Sequence, residues 1–123
     1  HVTSGDYQAT LDIVFTWGDP VIGVHRTYHS ANIRPGVMWS NTQAYSNIEV
    51  DRLLDLAERE TSPVLRKKLY ADFQRIVRDD QPIFWLATMP YATIHDRRLK
   101  GLNESFWGLL GPMDGVFWET ERP

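Results

Sequence analysis

Ser46–Asp80, "SNIEVDRLLDLAERETSPVLRKKLYADFQRIVRDD", decides the fold. Val50, Leu53, Leu54 and Ala57 recur at three- and four-residue intervals, which puts them on one face of a helix. Ser46 or Asn47 can cap its start, and Ser46 with Glu49 has the spacing of a capping box. Thr61-Ser62-Pro63 stops this helix and opens a second. There Leu65, Leu69, Phe73, Ile76 and Val77 form a stripe, while most of the charged residues lie off it. Two amphipathic helices joined by about three residues form an antiparallel hairpin, each covering the other's apolar side.

Upstream, residues 8–17, "QATLDIVFTW", alternate Leu11, Ile13 and Phe15 and predict a buried strand. Asp19-Pro20 then predicts a helix start, because Asp caps well and Pro at the first helical position gives up no hydrogen bond. A short helix over 20–28 follows, weakened by Gly23. Residues 30–46 lose all periodicity and read as a long loop. That loop carries Trp39 and Tyr45, and long loops with large aromatics are packed or functional.

Downstream, residues 82–88, "PIFWLAT", predict a second buried strand. Residues 91–102 predict a more exposed one running into a turn near Gly101, and 115–119 a short last one. Trp85 and Trp118 are expected in the core. The order is β, short α, loop, α-hairpin, β, β, β. The expected class is α/β, with the helical hairpin packed on a small mixed sheet and residues 1–123 forming one domain.

The 123 residues carry a net charge of -3 with 42% hydrophobic and 24% charged residues, a globular balance for one domain. No basic patch stands out, so nucleic acid is not an expected partner. The absence of cysteine excludes disulfides, thiol catalysis and Cys-based zinc sites. His25 and His29 share a helix face, but a metal needs a third ligand and none lies close in sequence. Ser-centred nucleophile motifs and phosphate loops are missing. We expect no enzyme activity, no cofactor and no metal. Of the five tryptophans, Trp17 and Trp39 lie beside loops, where aromatic faces can stack on a ligand.

Tyr45, Asn47, Glu49, Val50, Asp51 and Leu54 match the pattern Y-x-N-P-E-V-D-x-L-L, with Ile48 in place of Pro. Arg66, Leu69, Tyr70 and Gln74 match R-x-x-L-Y-x-x-x-Q, followed by Asp80 and Pro82. In this the chain resembles the C-terminal part of the solute-binding proteins of peptide-type ABC importers. The resemblance implies a segment of one lobe of a larger, two-lobed, type II periplasmic-binding-protein-like fold. It implies an extracytoplasmic location, a peptide or similar small polar solute as ligand, and a membrane permease as partner. The opening at His1, with no Met start and no leader, fits a segment of a longer protein.

In peptide-binding members an Asp after the first strand pairs with the ligand's amine, and Asp19 is its match here. The loop before Asp19 is shorter than theirs, so cap and ligand contact both stay open. Trp17, Asp19, Trp39, Asn41 and Tyr45 are the expected solute-binding residues. The alternative is a carbohydrate-binding member or module using the same aromatics. An isolated lobe segment is also expected to self-associate through its open apolar surface.

Overall fold

In the computed structural model, which describes residues 1–15, 17–90, 92–102 and 110–120, the chain is a coarse mixture of three α-helices and a two-stranded antiparallel sheet. It divides into two compact units, His1–Trp85 and Leu86–Pro123.

The first unit is helical. α1 spans Pro20–Tyr28, α2 Ile48–Arg59 and α3 Pro63–Asp80. Asp19 sits in extended backbone and accepts the Val21 N–H at 2.9 Å, with Pro20 in the first turn, so α1 begins as the Asp-Pro pair predicts. Asn47, not Ser46, caps α2, its Oδ1 accepting from the Glu49 and Val50 amides at 3.0 and 3.3 Å. An amide at this position takes both orphan donors, which leaves no place for the Ser46 capping box. Pro63 opens α3, and Gln81 closes it in the left-handed region at φ 46°. Short 3-10 turns lie at Val2–Ser4 and Ser30–Asn32.

The four buried residues of α2 are Val50, Leu53, Leu54 and Ala57, the stripe read from the sequence. Val50, Leu53 and Leu54 pack with Phe73 of α3 and Tyr28 of α1 into one cluster, flanked by Val24, Tyr45, Leu69, Tyr70, Ile76, Val77 and Ile83. Tyr28 meets Phe73 edge-on at 5.3 Å and Tyr45 at 6.3 Å. Leu65, placed on the α3 stripe by spacing, is exposed. It lies in the first turn of α3, one turn ahead of Leu69, where packing on the core begins.

Two predicted strands do not form. Residues 8–15 and 82–90 enter no ladder among the described residues, and Leu11 is 82% exposed and Phe84 78%. Alternating or continuous apolar sequence makes a strand only when a neighbouring edge takes its N–H and C=O groups. Trp85, expected in the core, is 63% exposed.

The second unit holds the sheet. β1 is Leu99–Lys100 and β2 Phe117–Trp118, paired antiparallel with Leu99 opposite Trp118 and Lys100 opposite Phe117. The sheet is thus antiparallel rather than mixed, and the strand expected over 91–102 shrinks to two residues. Trp118 is exposed rather than in the core, since a two-stranded pair has no second layer of its own to bury it. Gly101, at φ 77°, follows β1 where an added Cβ would lie 1.9 Å from the Gly115 carbonyl oxygen. Trp107 lies outside the described residues.

Candidate functional site

Among the expected site residues, Asn41 and Tyr45 are brought together. Asn41 is 1% exposed. Its Nδ2 donates to the carbonyls of Tyr28, His29 and Tyr45 at 3.4, 3.2 and 2.7 Å, and its Oδ1 accepts the Tyr45 N–H at 3.0 Å. Gln43 Nε2 donates to the Thr27 carbonyl at 2.7 Å, and Asn32 Nδ2 to that of His25 at 3.0 Å. Three side-chain amides therefore satisfy the last carbonyls of α1, which ends without a glycine. The signal for this in the sequence is the amide-rich run after residue 30, with Asn32, Asn41 and Gln43.

Tyr45 turns its hydroxyl to Asp80, donating at 2.6 Å, and Asn47 Nδ2 donates to the same carboxylate oxygen at 2.9 Å. Burial and then the Asp80 carboxylate raise the Tyr45 pKa far above the phenol range. The same two donors, Tyr45 first, hold Asp80 below the ordinary carboxylate value. The loop is thereby fastened to the end of α3.

Asp19 does two jobs. Beyond capping α1, it receives Arg66 Nη1 and Nη2 at 2.9 and 2.7 Å. Arg66 also donates from Nε to the Ala57 carbonyl at 3.0 Å and lies over the Tyr70 ring at 5.5 Å. The guanidinium contacts first, and the Val21 amide second, lower the Asp19 pKa. One residue thus joins the start of α1, the end of α2 and the face of α3. Sequence reading missed Arg66 as a partner because 47 residues separate the pair.

Next to this clasp the buried His25 meets the Tyr70 hydroxyl at 3.1 Å from Nε2. Desolvation lowers its pKa, and Glu58 pulls the other way. His29 accepts the Ala31 N–H on Nδ1 at 3.1 Å, which leaves Nε2 to donate to Asp55 at 3.2 Å. Asp51 accepts from both the amide and the hydroxyl of Ser30. The His pair is thus divided between two sets of partners, and no cluster able to hold a metal occurs among the described residues.

Trp17 is half-buried and stacks on Phe15 at 5.2 Å between ring centres. Trp39 is 56% exposed. In the second unit a concavity of about 550 Å³ is lined by Arg98, Trp118, Glu119 and Thr120. Its Arg98 lies over the Trp118 ring at 5.7 Å and makes a two-pronged pair with Asp96 at 3.1 Å. None of the five expected residues lines it.

Comparison with family models, with curated proteins and with solved structures finds no match.

Proposed function

We propose that this chain is part of one lobe of an extracytoplasmic solute-binding protein that delivers a small polar solute, such as a peptide, to the permease of an ABC importer. One observation carries the reading. Segments 8–15 and 82–88 have strand-like apolar sequence yet enter no ladder among the described residues, and Leu11, Phe84 and Trp85 on them are largely exposed. Strands of this kind belong inside a larger sheet, and an open α/β sheet binds ligands at the edge where strands meet loops. The residue patterns Y-x-N-x-E-V-D and R-x-x-L-Y-x-x-x-Q add support from sequence. In this reading the solute lies between two lobes that close by a hinge, and the protein performs no chemistry.

The carbohydrate alternative has its own support in the exposed indole of Trp39, since aromatic faces suit the apolar faces of sugars. The test is thermal-shift and calorimetric titration of the natural polypeptide carrying these residues against panels of di- to pentapeptides and oligosaccharides. Micromolar or tighter binding of a panel member is expected. Millimolar or no binding across both panels rules out the reading.

A further inference from the structure

His29 closes α1 and opens the 3-10 turn Ser30–Asn32, so one residue serves two elements. Its backbone is fixed from both sides. The N–H donates to the His25 carbonyl at 2.9 Å, and the carbonyl accepts from the Asn32 N–H at 3.0 Å and the Asn41 side chain at 3.2 Å. The ring caps the turn, with Nδ1 accepting the Ala31 N–H at 3.1 Å. Caps are ordinarily oxygens of Ser, Thr, Asp or Asn, which go on accepting across the neutral range. An imidazole nitrogen accepts only while it carries no proton.

Two carboxylates face the ring from α2, one helical turn apart. Asp55 Oδ1 lies 3.2 Å from Nε2, and Asp51 Oδ1 lies 3.6 Å from Nδ1, just beyond hydrogen-bond reach. That Asp51 oxygen accepts the Ser30 N–H at 2.9 Å, and its other oxygen takes the Ser30 hydroxyl. The His29 and Asp51 side chains are 18% and 20% exposed, so water and salt screen them less than a surface pair. On α1, His25 lies one turn earlier and is turned to Tyr70. Past the turn, Arg34 donates from Nε to the Ala31 carbonyl at 3.3 Å. Residues 30–33 carry no charged side chain.

The geometry points to His29 as a proton-operated latch between α1 and the Ser30–Asn32 turn. Neutral, the ring holds the turn through Nδ1. With a proton on Nδ1 the ring meets the Ala31 N–H donor to donor, and the cap is lost. The new N–H has its acceptor in Asp51 while Nε2 keeps Asp55, so the imidazolium stands between two carboxylates. Asp51 must then share the oxygen that holds the Ser30 N–H, which loosens the turn from a second side. α1 itself stays closed, because the side-chain amides of Asn41 and Gln43 hold its last carbonyls and do not titrate. Histidine is the side chain whose charge changes between pH 5 and 8. The latch works whatever the chain binds.

The test is NMR of the isotope-labelled natural polypeptide carrying these residues, titrated from pH 8 to pH 5. At the alkaline end His29 Nδ1 should resonate as an unprotonated nitrogen and Nε2 as a protonated one. As Nδ1 gains its proton, the exchange protection of the Ala31 amide should fall about fivefold, the worth of a lost cap. The Ser30 amide resonance should move with the same midpoint. The loss at Ala31 should exceed any at the buried Leu53 and Leu54 of α2. His29→Asn supplies a capping oxygen that does not titrate, so Ala31 should stay protected throughout. His25→Gln should leave the transition in place. A His29 ring that titrates while Ala31 keeps its protection overturns the latch. So does a ring still neutral at the acid end, or one whose Nδ1 carries the proton at the alkaline end. A transition that survives His29→Asn, or that vanishes in His25→Gln, overturns it as well. The titration of the unaltered chain decides by itself where a variant does not fold.

Discussion

Arg66 grips Asp19 through both terminal guanidinium nitrogens, at 2.9 and 2.7 Å, across 47 residues of chain. The pair is half-exposed, so its Coulomb attraction is modest. Its weight comes from geometry, because the same carboxylate caps α1 and the same guanidinium caps the Ala57 carbonyl.

Substitution separates these roles. Asp19→Asn keeps a capping oxygen and loses the charge with one of the two acceptors for Arg66, so it should cost about 0.5–1 kcal/mol of unfolding free energy. Asp19→Ala loses cap and pair and should cost about 1–2 kcal/mol. Urea denaturation followed by helical circular dichroism measures both, and equal losses would mean that the cap contributes nothing.

Asn41→Ala should be more damaging, at about 2–4 kcal/mol, because it strands the Tyr45 N–H and the carbonyls of Tyr28 and His29 in a buried place. The same denaturation series tests it. A loss below about 0.5 kcal/mol would show that water replaces the amide without penalty.

How much of this was legible in the sequence follows from the range of each force. α1, α2 and α3 are set by caps and by a stripe of apolar residues within a few turns, and local sequence carries both. The Asp19–Arg66 pair and the amides that cap α1 join distant positions, and spacing says nothing about those. The strand expected over 8–17 rests on the alternation of Leu11, Ile13 and Phe15, and that over 82–88 on continuous apolar content. Such patterns specify a willingness to pair, while the partner edge is what makes the ladder. Of the site residues, Trp39 was legible as an aromatic in a loop, whereas the burial of Asn41 depended on the fold of α1's C-terminal end.

His25 gives a pH dependence with a definite sign. Its folded-state pKa is lowered by burial, so below its ordinary value near 6.5 the unfolded chain takes up a proton that the folded chain refuses. Stability from this group is full above pH 6.5 and is lost as pH falls toward the lowered folded value. The facing groups are Tyr70 and Arg66 on α3, Glu58 on α2, and Asp19 and His29 flanking α1. Unfolding free energies measured from pH 7.5 to 5 should decline, and His25→Gln should flatten the decline. A profile unchanged by the substitution would assign it to other groups.

Gly101→Ala should disorder the second unit, since the backbone lies at φ 77° and the new methyl would collide with the Gly115 carbonyl. Loss of the nuclear Overhauser contacts between Leu99 and Trp118, with those of the helical core intact, is the expected result. An unchanged β1–β2 pairing would contradict it.

The account turns on whether the open apolar segments are strands of a larger sheet. Amide hydrogen exchange in the natural polypeptide that carries residues 1–123 measures this directly. The account predicts slow exchange at 11–15 and 83–88, comparable to the amides of α2. Exchange there as fast as in an unstructured peptide, while α2 stays protected, would contradict it.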